Sequence, residues 1–160
     1  MLIWRKYDTY NGEVESWLKD YAVKRFLNID CFWDYYSAII SGVNDIYDSQ
    51  GNLELGYIQG KNYFVYLIYD DDLPVGLIEI YNPLCICTVI IAPEHRNKGV
   101  GEAVLRELIT HTPNYIPNPE GQLSAVIENS NIASIKLFTK VGFIEKNEVD
   151  RDNKCYILRK

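Results

Sequence analysis

The stretch Cys87-Thr88-Val89-Ile90-Ile91-Ala92-Pro93-Glu94-His95-Arg96-Asn97-Lys98-Gly99-Val100-Gly101-Glu102-Ala103-Val104-Leu105 decides how the rest of the chain is read. It opens as an apolar run rich in β-branched residues, the composition of a buried strand. Pro93 ends any ladder, because it has no N–H to donate. A short basic, glycine-bearing loop follows from Arg96 to Gly101, and Val104, Leu105, Leu108 and Ile109 then recur at helical spacing. A helix therefore starts near Gly99 to Gly101. Strand, glycine loop and helix N-terminus in this order make an anion site. The first amides of a helix lack internal partners, and the helix dipole adds partial positive charge there. Gly99 and Gly101 carry no Cβ, so a phosphate can come close to the backbone. The competing reading is a plain strand-to-helix turn with glycines for tight packing.

Upstream, residues 63–69 are aromatic and β-branched and 75–81 alternate, so they predict a hairpin around Asp70-Asp71-Asp72-Leu73-Pro74. The three Asp residues suit a solvated tip, since no further ligands stand at a metal-loop spacing. Asn82-Pro83 turns the chain into a strand over 85–91. Nearer the start, residues 2–7 suggest a first strand. Asn11 predicts a cap for one helix running to about Phe26, with Val14, Trp17, Leu18 and Tyr21 on one face. A second apolar helix covers 31–40. Its Trp33, Tyr35 and Tyr36 either wall a cleft for a cation or pack in the core. The polar, glycine-bearing stretch 44–60 reads as a loop, with or without a short strand in it. Downstream, the proline-bearing segment 111–122 is a connection and 123–127 a short buried strand. A helix capped by Ser130 or Asn131 comes next and ends at Gly142, and two strands, 143–149 and 154–158, close the chain.

The sequence has 160 residues, a mass of 18.5 kDa, a net charge of −6 and a pI near 4.9. That length suits one domain over 1–160. The acidity argues against a nucleic-acid partner and suits a cationic or amine ligand, or simply a solvated surface. The four cysteines form no paired metal spacing, and Cys85-x-Cys87 reads as free thiols in a strand, so no metal is expected. The N-terminal residues lack the apolar core of a signal peptide, and no run approaches a membrane span. A cytoplasmic protein without a membrane partner, a monomer or homodimer, is the expectation.

The spacing Arg96-x-x-Gly99-x-Gly101 is neither the dinucleotide G-x-G-x-x-G nor a P-loop, whose Lys-Ser/Thr ending is missing. It resembles the acetyl-CoA signature of the GNAT superfamily of N-acetyltransferases, Arg/Gln-x-x-Gly-x-Gly/Ala. Asn131-Ile132-Ala133-Ser134-Ile135-Lys136-Leu137-Phe138-Thr139-Lys140-Val141-Gly142-Phe143 resembles the second signature of that family. The two motifs stand in the family's order, separated by the expected helix and strand. The resemblance covers about 63–143; the N-terminal third matches only in its helix-then-hairpin order.

What the resemblance implies is an α/β fold of the α+β type. Its sheet is mixed, mostly antiparallel, six- to seven-stranded and flanked by about four helices. It also implies transfer of the acetyl group of acetyl-CoA to a primary amine of a small molecule, peptide or protein N-terminus, by direct attack in a ternary complex. The backbone of Val89, Ile90 and Ile91 would pair with the pantetheine as a strand does. Arg96, Asn97, Lys98, Gly99, Val100, Gly101 and Glu102 would hold the pyrophosphate. Asn131 would reach the arm near the sulfur, and Phe138 would line the channel. The Ile90 or Ile91 amide would stabilise the oxyanion.

One departure matters. Many family members carry Tyr where this chain has Phe138, and phenylalanine donates no proton. Ser134 or a water is then the donor to the leaving thiolate, against a plain role for Ser134 as a small helix-face residue. Glu79 is the acidic candidate for the base and Glu128 a second, each with an ordinary surface or ion-pair role as the competing reading. His95 suits the phosphate side. The alternative reading of the whole chain is a non-catalytic acyl-CoA-binding or regulatory module.

Overall fold

The structure, a computed structural model, describes residues 1–27, 29–40, 63–81, 85–110 and 122–159. The expected loop over 44–60, residues 111–121 of the connection expected over 111–122, and the Asn82-Pro83 turn lie outside the described residues, while Gln122 already belongs to a strand. Asp71 and Asp72 reverse the chain between β2 (Tyr63–Asp70) and β3 (Leu73–Tyr81), with Asp70 opposite Leu73. Asp71 takes φ +53°, a left-handed conformation that Asp tolerates better than most residues. Pro74 lies within β3 opposite Tyr69, where the register shifts, so its missing N–H costs the ladder little.

The remaining strands are β1 (Leu2–Lys6), β4 (Cys85–Ile91), β5 (Gln122–Glu128), β6 (Ile144–Glu148) and β7 (Asn153–Arg159). They form one seven-stranded sheet in the order β1-β2-β3-β4-β5-β7-β6. Every neighbouring pair is antiparallel except β4 and β5, which run parallel and pair at Cys85 opposite Ser124. Beyond that point the two strands part, and the gap between them is what the fold offers a ligand. This explains why β4 is not the buried strand its composition suggests: its burial alternates irregularly, because one edge faces the gap.

The helices are α1 (Gly12–Trp17), α2 (Tyr21–Lys24), α3 (Phe32–Ile40), α4 (Val100–Thr110) and α5 (Ile132–Lys140), five among the described residues where about four were expected. The extra one arises from a break in the helix expected from Asn11 to Phe26. Asn11 does cap α1, accepting from the Glu13 and Val14 amides. Asp20 then turns extended (ψ 133°) and caps a new helix, accepting from the Ala22 and Val23 amides. A short carboxylate that competes for backbone donors restarts the helix there.

Both faces of the sheet are covered. Val104, Leu105, Leu108 and Phe138 of α4 and α5 pack on Ile68, Ile78, Ile80 and Leu123. On the opposite face, Val14, Trp17, Phe32 and Tyr36 of α1 and α3 pack on Val65, Leu67, Leu77 and Ile90. Each such side chain contributes about 1.5–3 kcal/mol by leaving water. Asn131 is the residue that caps α5, accepting from the Ser134 amide at 3.2 Å. Gly142, at φ +110°, ends the helix: its amide donates to Thr139 O and the Phe143 amide to Phe138 O. The Phe138 and Phe143 rings close the cap edge-to-face at 5.0 Å.

Two carboxylates are buried under α3. Glu15 of α1 accepts from the Phe32 and Trp33 amides at 2.7 and 2.8 Å and from the Tyr7 hydroxyl at 2.8 Å. It supplies acceptors from another element to the first amides of α3, and a negative charge suits a helix start. Glu79 of β3 is the other, and it belongs to the site.

Candidate active site

One end of the site is made by main chain. After the 3-10 turn Pro93–His95, Asn97 (φ +58°) and Gly99 (φ +80°) both turn left-handed, which bends the backbone into the start of α4. The first intrahelical bond runs from the Ala103 amide to Gly99 O at 3.0 Å. The amides of Val100, Gly101 and Glu102 precede it and so point out of the helix end. A Cβ added at Gly99 would meet nothing within 4 Å, so the loop is open on that side. At Gly101 it would lie 3.1 Å from a Leu137 methyl and 3.5 Å from Ile91 Cγ1, so this glycine seats α4 against α5 and β4. The two glycines thus serve the two competing readings of the motif at once.

Arg96 lines the opening and is also tied to the protein. Its Nη1 donates to Asp20 Oδ2 at 2.9 Å and its Nε to Ile91 O at 3.2 Å. Desolvation pushes the Asp20 carboxyl up, but the hydrogen bond and charge of Arg96 outweigh it and hold the group below the usual carboxylate range. Lys140 of α5 and Arg106 ion-pair with Glu102 at 2.6 and 2.9 Å. The Lys140 hydrogen bond, then that of Arg106, keeps this carboxyl low.

Between the parted strands runs a cleft of about 620 Å³. All the candidate coenzyme residues except Lys98 line it: Val89, Ile90, Ile91, Arg96, Asn97, Gly99, Val100, Gly101, Glu102, Asn131 and Phe138. Ser134, Glu128 and His95 line it too, whereas Lys98 is exposed outside it. Sequence reasoning missed Ala22, Val23, Phe26 and Leu27, which line it from α2 and the residues after it, and Lys140. Only the break at Asp20 turns that segment toward the strands.

Strand alternation orders the β4 edge. The Ala92 amide donates to Val75 O, so Ile90 and Thr88 turn their backbone groups to β3, while Val89 and Ile91 turn theirs to the cleft. Of the two amides considered for an oxyanion, that of Ile91 therefore faces the opening.

Near the point where β4 and β5 meet, the site is made by side chains. Glu79 is 3% exposed and does not line the cleft, and it is neither the surface nor the ion-pair residue that was the competing reading. Thr88 donates to its Oε2 at 2.5 Å, and Tyr35 (3.4 Å) and Tyr63 donate to its Oε1. Burial pushes the Glu79 carboxyl up, and the hydrogen bonds from Thr88, Tyr63 and Tyr35 oppose this. Burial and the Glu79 charge push both tyrosines up in turn. Thr88 stands directly opposite Glu79 across the ladder, Ile86 opposite Ile80, and the register shift between them leaves Cys87 as the extra residue of a bulge. Thr88 lines the cleft. The aromatic residues of α3 divide accordingly: Tyr35 reaches Glu79, while Trp33 and Tyr36 pack on Tyr7. A lone acidic residue in an otherwise apolar strand was the sequence signal for this cluster; its partners carried none.

Among the described residues no three His, Cys, Asp or Glu side chains gather as a metal site, and no helix is long and apolar enough to cross a membrane. The cysteines are free.

An open sheet parted between two parallel strands, with a glycine-opened helix start at the wide end, is shared with a known family of acyl-transfer enzymes. The acetyltransferase (GNAT) family model matches residues 29–143, and the chain belongs to that family. Over 95 residues it is 34% identical to YfmK of Bacillus subtilis (strain 168), an uncharacterized N-acetyltransferase, a match covering 58% of this chain and 62% of that protein. In fold it is similar to the N-acetyltransferase PseH of Campylobacter jejuni in complex with acetyl coenzyme A (TM-score 0.65, 18% identity, 100% of this chain and 99% of that one). It is similar too to spermidine N-acetyltransferase of Vibrio cholerae in complex with CoA and spermine (TM-score 0.62, 14% identity, 99% and 95%). The seven-stranded mixed sheet with its helices is the architecture of these structures.

Proposed function

We propose that this protein, as one domain over 1–160, transfers the acetyl group of acetyl-CoA to a primary amine of a small molecule, peptide or protein N-terminus. The observation that carries the reading is the cleft between β4 and β5, open at Gly99 beside the outward amides of α4. The residues present suit the coenzyme. The amides of Asn97 to Glu102, with Lys140, offer donors and positive charge to a diphosphate, and Arg96 braces this loop rather than binding through its guanidinium. The cleft-facing backbone of Val89 and Ile91 suits an extended amide arm. Asn131 and Phe138 line the way, and the Ile91 amide stabilises the oxyanion. Glu79 is the base for the ammonium. Ser134, or a water beside it, returns a proton to the thiolate, since Phe138 cannot. A monomer or homodimer in the cytosol, without nucleic acid, metal or membrane, completes the proposal.

The test is thermal unfolding with acetyl-CoA. A ligand at 100 times its Kd stabilises the folded state by about 2.7 kcal/mol, which raises the Tm of a chain of this size by about 5–10 °C. Acetyl-pantetheine, without the diphosphate, should raise it less. An unmoved Tm at millimolar acetyl-CoA would sink the proposal. Phe138 favours a second reading, a non-catalytic acyl-CoA-binding module. Thiol release from acetyl-CoA across a panel of amines (spermidine, amino sugars, short peptides) separates the two, because a module binds without turnover.

A further inference from the structure

We propose that Thr88 is a catalytic residue, carrying the ammonium proton of the acceptor from the cleft to the buried Glu79. The inference rests on the acetyl-transfer reading and adds the residue that makes Glu79 usable. Glu79 is the only acid on β3 and β4 and is buried with no opening of its own, whereas Glu128 at the end of β5 lines the cleft but is exposed to solvent. Thr88 has both contacts: it lines the cleft, and its Oγ1 sits 2.5 Å from Glu79 Oε2. A proton can pass along this hydrogen bond with no water between the two groups. Tyr35 and Tyr63 hold the other oxygen, Oε1, so Oε2 keeps a fixed aim at Thr88. The β4 bulge at Cys87 places this hydroxyl beside the point where β4 and β5 part.

The step balances within these groups. The ammonium gives a proton to Thr88 Oγ1 while Thr88 gives its own to Glu79, leaving a neutral amine, an intact hydroxyl and a neutral carboxyl. The amine nitrogen bonds to the thioester carbonyl carbon, the C–S bond breaks, and a remaining nitrogen proton passes through Ser134 or water to the departing sulfur. Glu79 then returns its proton to solvent through Thr88. Among the described residues, the titratable groups that face Glu79 are Tyr35 from α3, Tyr63 from β2 and Cys85 from β4. None of them is a cation that would keep the carboxylate from taking a proton.

The experiment uses the full chain, acetyl-CoA and whichever panel amine gives the fastest thiol release. Thr88→Val, which keeps the shape and loses the hydroxyl, should lower kcat about 10²-fold. Thr88→Ser should recover most of the rate. Wild-type kcat should fall in acid as Glu79 takes up a proton. In Thr88→Val and Glu79→Gln the limb that levels off once Glu79 is ionised should be replaced by a lower rate that climbs with pH without a plateau, as solvent takes the proton, and the double variant should lose no more than either single one. The shift of Tm by acetyl-CoA should persist in each variant. A kcat within threefold of wild type in Thr88→Val, or a uniform loss with the acid limb retained, overturns the relay, whereas no turnover on any amine despite acetyl-CoA binding overturns the acetyl-transfer reading on which it rests. Loss of the Tm shift in the wild type is a different outcome and overturns the underlying reading instead.

Discussion

The two ends of the cleft are built from different materials. The wide end uses one contiguous stretch, Arg96 to Glu102, and works through backbone: two left-handed residues, an open glycine and the outward amides of α4. The apex uses side chains from α3, β2, β3 and β4, brought to one carboxylate by tertiary packing. A backbone site tolerates changes of side chain and fails when its φ angles are disturbed. A side-chain site fails when any of its supports moves, however distant. The contrast makes four substitutions informative.

The largest effect is expected from Glu15, which touches neither end of the cleft. Its carboxylate receives two amides of α3 and the Tyr7 hydroxyl, all of which Glu15→Ala would leave without a charged acceptor. Buried hydrogen bonds to a charged group contribute about 1.5–3 kcal/mol each and do not add fully, so a loss of about 3–5 kcal/mol is expected in urea unfolding. Because α3 carries Tyr35 to Glu79, kcat should fall in the folded fraction while acetyl-CoA affinity is kept. Equal loss at both functions would erase the distinction between the two ends.

Gly99→Val is next. It forces a β-branched residue to φ +80°, a strain of about 1–3 kcal/mol. Restoring an ordinary φ would pull the loop amides off their aim. Acetyl-CoA affinity, read by calorimetry, should drop about 10-fold or more. Because open space surrounds the site, no packing loss should appear elsewhere in the fold. At Gly101 the outcome should differ: Gly101→Val disturbs Leu137 and Ile91, so part of its cost should appear as lower stability.

The smallest effect sharpens the picture at the seam between the ends. Asp20 caps α2 and binds Arg96 of the loop before α4. Asp20→Ala should cost about 1 kcal/mol, most of it from the cap, since ion pairs this exposed contribute little. The sign with pH follows from the lowered value of its carboxyl. The stability it adds is present above the unfolded value of about 3.9 and is lost as pH falls through the folded one, so the gap between variant and wild type should close in acid. A gap that widened below pH 4 would contradict the Arg96 assignment.

Local chemistry made several features readable in advance. Asp71 at the hairpin tip, Asn131 and Gly142 at the ends of α5, and the start of α4 near Gly99 follow from what single residues do to a backbone. The break of the first helix at Asp20 was not read. Asp is a cap as readily as a surface residue, and only the Arg96 contact and the cleft show which role it takes here. Nor was the burial of Glu79 read, because alternation places a residue on a face without saying what covers that face.

The sequence by itself determined the family, the strand–loop–helix that opens the coenzyme end and the order of the elements around it, because these depend on residues adjacent in the chain. Only the tertiary structure decided that Arg96 is tied to Asp20 and to the Ile91 carbonyl, that Ile91 faces the cleft and that Thr88 joins a buried carboxylate to it. Those are contacts between segments far apart in sequence, and their geometry follows from how helices and strands pack.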